Sequence, residues 1–66
     1  MKRATLQQFN AFVGLNAFES RAFHSHSDNA RYFVREHYNV EGKLIAVAAY
    51  KRRDAVYFIE TNIGAN

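Results

Sequence analysis

Between Ala30 and Tyr38 the apolar positions Ala30, Phe33, Val34, His37 and Tyr38 fall at i, i+3, i+4, i+7 and i+8, a spacing that gathers side chains on one face of a 3.6-residue helix. Arg31, Tyr32, Arg35, Glu36 and Asn39 fall on the other face. Ser25 or Ser27 supplies a capping hydroxyl, and Asp28 and Asn29 follow in the first turn, where negative charge meets the positive end of the helix dipole. Val40-Glu41-Gly42 loses the period and brings a glycine able to take positive φ. The pattern therefore predicts a helix ending near Asn39 and a strand beginning at Lys43.

Leu44 to Tyr50 is nearly continuous in apolar character, as in a central strand buried on both sides. Lys51-Arg52-Arg53-Asp54 reads as a tight charged turn and Ala55 to Thr61 as the returning strand. With Arg52-Arg53 as the loop, Tyr50 faces Ala55, Ala49 faces Val56, Ala48 faces Tyr57, Val47 faces Phe58 and Ala46 faces Ile59. One face then carries Ile45, Val47, Ala49, Val56 and Phe58, which suits the helix. The other carries Leu44, Ala46, Ala48, Tyr50, Tyr57 and Ile59, with no second helix to cover it.

Ala17 to His24 alternates, with Phe18, Ser20, Ala22 and His24 opposite Glu19, Arg21 and Phe23. Leu6 to Val13 supports two readings. As a strand, Phe9, Ala11 and Val13 alternate with Gln8, Asn10 and Phe12 before a Gly14-Leu15-Asn16 turn. As a helix, Thr5 and Gln8 form a capping box, Leu6, Phe9, Phe12 and Val13 share a face, and Gly14 ends it. The aromatic content favours the strand. The expected fold is a small α+β domain, ββαββ, with one helix packed on a four-stranded antiparallel sheet; the alternative is αβαββ. Residues 1–66 read as a single domain with loose termini at 1–4 and 62–66.

Sixty-six residues bury a limited core: a chain of this size removes only about 60 % of its unfolded surface from water. Cysteine is absent, which excludes disulfides, thiolate metal sites and thiol catalysis. Packing, an oligomer or a partner must supply the remaining stability. No apolar run reaches membrane-spanning length and Leu6-Gln7-Gln8 interrupts any signal-peptide core, so no membrane partner and a cytoplasmic location are expected. The net charge of +3 suits an acidic protein surface or nucleic acid.

Chemistry-bearing patterns are sparse. His24 and His26 share one side of a strand, but His37 is the only further histidine and zinc wants three or four ligands; no metal and no cofactor is expected. Ser20, Ser25 and Ser27 lie near the histidines in sequence, yet adjacency along a strand builds no oriented triad. No phosphate-binding glycine loop is present. These absences point away from an enzyme.

The order strand, serine cap, Ala30-Arg31-x-x-Val34-Arg35, Tyr38-Asn39-Val40-x-Gly42-Lys43-Leu44-Ile45-x-Val47 resembles small orphan proteins of tailed bacteriophages. Its layout is similar to that of compact phage host-takeover proteins and anti-CRISPR inhibitors, over about a third of the chain. What this resemblance implies is binding to a host protein in the host cytoplasm, without chemistry. The expected binding surface is the uncovered sheet face, with Tyr50, Tyr57 and Ile59 as anchors and Arg52 and Arg53 steering an acidic partner. A second reading is nucleic-acid binding through Arg31, Tyr32, Arg35 and Lys51. A third is a homodimer that uses the apolar face for itself.

Overall fold

Thr5 Oγ1 accepts a hydrogen bond from the Gln8 amide at 3.1 Å, and Gln8 Oε1 accepts one from the Thr5 amide at 2.9 Å. This reciprocal capping box satisfies two amides that a helix start otherwise leaves unpaired. In the computed structural model, which describes residues 1–27 and 30–61, it opens α1, Leu6–Asn16. The helical reading of this segment is thus the one realised. Leu6, Gln7, Gln8 and Ala11 are good helix formers, and Val13 is the only β-branched residue within it. Gly14 does not end the helix, which runs on to Asn16; the Asn16 side-chain amide donates to the Phe12 carbonyl at 3.0 Å.

Around the helix lie β1 (Lys2–Ala4), β2 (Glu19–Ser27), β3 (Ala30–Tyr38), β4 (Leu44–Lys51) and β5 (Asp54–Ile59). They form one antiparallel sheet of five strands in the order β1-β5-β4-β3-β2. Lys2–Ala4, expected to be a loose end, is the edge strand beside β5. The expected tail at 62–66 lies outside the described residues.

The main correction concerns the expected central helix, which is the strand β3. Its sequence satisfies both periods: Phe33, Arg35 and His37 alternate with Tyr32, Val34, Glu36 and Tyr38 as cleanly as the apolar residues fit a helical stripe. Aromatic and β-branched side chains lose rotamer freedom in a helix and pack well on a pleated surface. Here they are paired on both flanks, with Phe33 opposite His24 on β2 and Tyr50 on β4. Ser25, expected as a cap, is paired with Tyr32, and Ser27 is the last residue of β2. The first-turn positions expected for Asp28 and Asn29 lie outside the described residues.

Between β3 and β4, Asn39 Oδ1 accepts from the Glu41 and Lys43 amides at 3.0 and 2.9 Å, and Gly42 takes φ 82°. The glycine turn expected there is present, although it follows a strand. The register moves between His37 and Tyr38, so that Ile45 is passed over while its neighbours Leu44 and Ala46 are paired. Between β4 and β5 the register is the one the sequence predicts, from Ala46 opposite Ile59 to Tyr50 opposite Ala55.

The helix covers the opposite side of this hairpin from the one expected. Phe9, 4 % exposed, lies against Ala46 and Ala48, both fully buried, with Phe12, Val13, Tyr50, Tyr57 and Ile59 packed around them. Two alanines at alternate positions of β4 leave room for a phenylalanine ring and let the helix approach the sheet closely. The face with bulkier Val47, Val56 and Phe58 is the one left without a helix.

Candidate binding surfaces

Strand alternation sorts the charged residues between the two sides of the sheet. On the side of α1 stand Lys2, Arg31, Arg35, His24, His26 and His37, as cross-strand pairing with Ile59, Ala48, Phe33 and Ala46 requires. No carboxylate stands among the described strand residues of that side, and α1 itself carries no charge. On the other side stand Arg3, Arg21 and Lys51 together with Glu19, Glu36 and Asp54.

The side without the helix has an apolar centre and a balanced rim. Phe23, Val34, Ala49 and Val56 form one cross-strand row; Val47 and Phe58 lie in the next, flanked by Glu36 and Arg3. All six apolar side chains are half-buried by their neighbours alone. Part of the charge there is already engaged: Arg21 lies 3.5 Å from Glu36, which also accepts a 2.6 Å hydrogen bond from the Tyr38 hydroxyl. That bond and burial push the Tyr38 hydroxyl pKa up. The Arg21 guanidinium lies over the Phe23 ring at 5.2 Å, and the Lys51 ammonium over Tyr32 at 5.8 Å. Tyr32, Ala49, Lys51, Asp54 and Val56 line a shallow hollow of about 170 Å³.

On the helix side, α1 packs over β1, β5 and β4. The β2 half stays open, with Ser20, Ala22, His24 and His26 exposed beside exposed Arg31 and Arg35. A chain of rings runs through this surface: His24 edge-on to Phe33 at 5.3 Å, Phe33 to Tyr50 at 6.1 Å, Tyr50 to Tyr57 at 6.2 Å, and Tyr57 to Phe9 at 5.2 Å. Phe9 also meets His37 edge-on at 5.5 Å.

Of the residues expected as protein anchors, Tyr57 and Ile59 lie beneath the helix and Tyr50 lies at its edge; Arg52 and Arg53 form the exposed β4–β5 tip. The four expected nucleic-acid contacts are divided by the sheet: Arg31 and Arg35 are on the helix side, Tyr32 and Lys51 on the other. His24 and His26 share a side as expected, but His37 is set well along β3, opposite Ser20. Among the described residues no group of three or more His, Asp or Glu is placed to hold a metal. Phe23, Val34 and Phe58 were not expected as binding residues. Once the middle segment is read as a strand, their alternation is the signal that puts them together.

His37, 9 % exposed, is held below its ordinary value by burial, and the Arg35 charge acts in the same direction. Its contribution to stability is therefore fully present above the unfolded-state value of 6.5 and is lost as pH falls through the folded-state value. Urea midpoints measured from pH 8 down to about pH 5, above most carboxylate titration, are expected to fall below pH 6.5. His37→Phe, which keeps a ring against Phe9, should flatten that decline; an unchanged decline would exclude His37 as its source.

The structure is a small α+β domain, one helix on a five-stranded antiparallel sheet. No protein-family model, no curated protein and no solved structure matches the chain. No helix among the described residues is long and apolar enough to cross a membrane.

Proposed function

We propose that this chain is a non-enzymatic protein-binding module whose binding surface is the open side of the sheet, and that the surface it takes there is a second copy of itself. The observation that carries this reading is the pair of adjacent rows made by Phe23, Val34, Ala49 and Val56 and by Val47 and Phe58, apolar on a side where a half-solvated antiparallel sheet is normally polar. The rim supports a second copy in particular. Arg3, Arg21 and Lys51 balance Glu19, Glu36 and Asp54, so a two-fold pairing of identical faces meets opposite charges as readily as like ones. The 40 × 22 Å breadth of the molecule can supply the roughly 800 Å² per partner of a standard interface. A foreign protein is the rival occupant of the same face.

Sedimentation equilibrium over a concentration series at low and high salt tests this. A dimer mass is expected in both salts, since apolar contact is little screened, and Val47→Lys should return the chain to a monomer with an unchanged far-UV spectrum. A monomer mass throughout, or a dimer that survives Val47→Lys, overturns the reading.

A further inference from the structure

The helix side of the sheet is cationic where the other side is balanced, and the two sides together account for where the net positive charge resides. Arg31 and Arg35 flank Phe33 on the same side of β3, and all three stand on the open part of that side beside His24, His26 and Ala22. Register continues the basic strip to the hairpin tip: Phe33 is opposite Tyr50, and Lys51 pairs with Asp54 across Arg52-Arg53, so the tip lies at the Arg31 end of the sheet. Arg31, Arg35, Arg52 and Arg53 make no ion pair among the described residues, in contrast to Arg21 on the other side. Half-exposed Phe33 and Tyr50, with ring centres 6.1 Å apart, lie within this cationic strip.

The tip adds a separate observation. Arg52 has φ 56°, the only positive φ outside glycine among the described residues. For a side-chain-bearing residue this conformation costs about 1–2 kcal/mol, and glycine is the usual occupant of such a hairpin position. An arginine held there keeps a cation at the tip against local preference, the kind of strain that accompanies functional positions.

We infer that the open β2–β3 half of the helix side and the β4–β5 tip form a site for single-stranded nucleic acid. Arg31, Arg35, Arg52 and Arg53 meet successive phosphates, and bases stack on Phe33 and Tyr50. Stacking surfaces interleaved with backbone-tracking cations are what unpaired strands require, and the half-exposed rings of Phe33 and Tyr50 lie between such cations. The site is on the opposite side of the sheet from the proposed protein contact, so both can be occupied together.

The test is fluorescence anisotropy with labelled oligo-dT and oligo-U, alongside a duplex of equal length and poly-glutamate. Both single strands should bind in preference to the duplex and to poly-glutamate. With three to four phosphate contacts at about 0.7 ions each, affinity should fall roughly 20- to 50-fold between 50 and 200 mM salt. Phe33→Ala should weaken binding about tenfold while leaving the salt slope unchanged. Arg52→Gly should lower the slope by about 0.7; because glycine suits φ 56°, loss of binding in this variant cannot be ascribed to unfolding. Absence of saturable binding at 50 mM salt, equal binding to duplex, or poly-glutamate binding as tight as oligo-dT would each overturn the inference.

Discussion

Phe9→Ala is expected to lower the free energy of unfolding by about 3–5 kcal/mol, the usual cost of emptying a phenylalanine site in a core. In a domain of 66 residues, where total stability is about 5–10 kcal/mol at most, this removes a third or more of the stability. The effect is large because so little else holds the helix: Phe9 is its one buried residue. It is also the residue through which α1 meets Ala46, Ala48, Tyr57 and His37 at once. Leu15, on the same helix but 85 % exposed, is the control, and Leu15→Ala should stay within about 0.5 kcal/mol. Urea denaturation followed by circular dichroism measures both. Equal, small losses would mean that α1 is not seated on the sheet through Phe9.

Ala46→Leu is expected to cost about 1–3 kcal/mol through overpacking, and Ala49→Leu, at low protein concentration, about 0.5 kcal/mol or less. The two alanines are three positions apart on β4 and project to opposite sides. Ala46 is fully buried with Phe9 in its cluster, whereas Ala49 is in register with Val34 and Val56 on the side without the helix. A larger side chain at position 46 has to displace the phenylalanine ring; at position 49 it meets solvent and half-buried neighbours. If Ala49→Leu proved the more costly, the helix would have to lie on the other side, and the open surface with its proposed partner would change sides with it. Thermal melts of the two variants at one low concentration decide the matter.

Much of the C-terminal hairpin was legible along the chain. The run Leu44 to Tyr50, the charged turn and the return strand set a register with one sensible solution, because a slip of one residue would exchange every side chain between the faces. The glycine turn at Gly42 was equally readable, since the lost period and the free backbone coincide there. The capping box of Thr5 and Gln8 was also visible, but it was outweighed by the aromatic residues Phe9 and Phe12. Local hydrogen bonding at the helix start proved the better guide, and those rings are the means by which the helix is anchored.

The segment from Ala30 to Tyr38 could not be assigned by local pattern alone. Its residues satisfy a helical stripe and a strand alternation together, and the choice rests on what is available to pair with it. β2 pairs with it along its length and β4 from Phe33 to Tyr38, and that advantage appears only when the three strands meet. Which side of the sheet receives the helix was likewise a tertiary decision. Both faces of the hairpin are apolar, and the fit of one phenylalanine over two alanines selected between them. The order of residues thus specified the C-terminal hairpin with its register, the glycine turn and the capping box, all consequences of short-range geometry. Long-range packing decided which apolar face became core and which became surface, because burial depends on the shape of the covering element as well as on hydrophobicity.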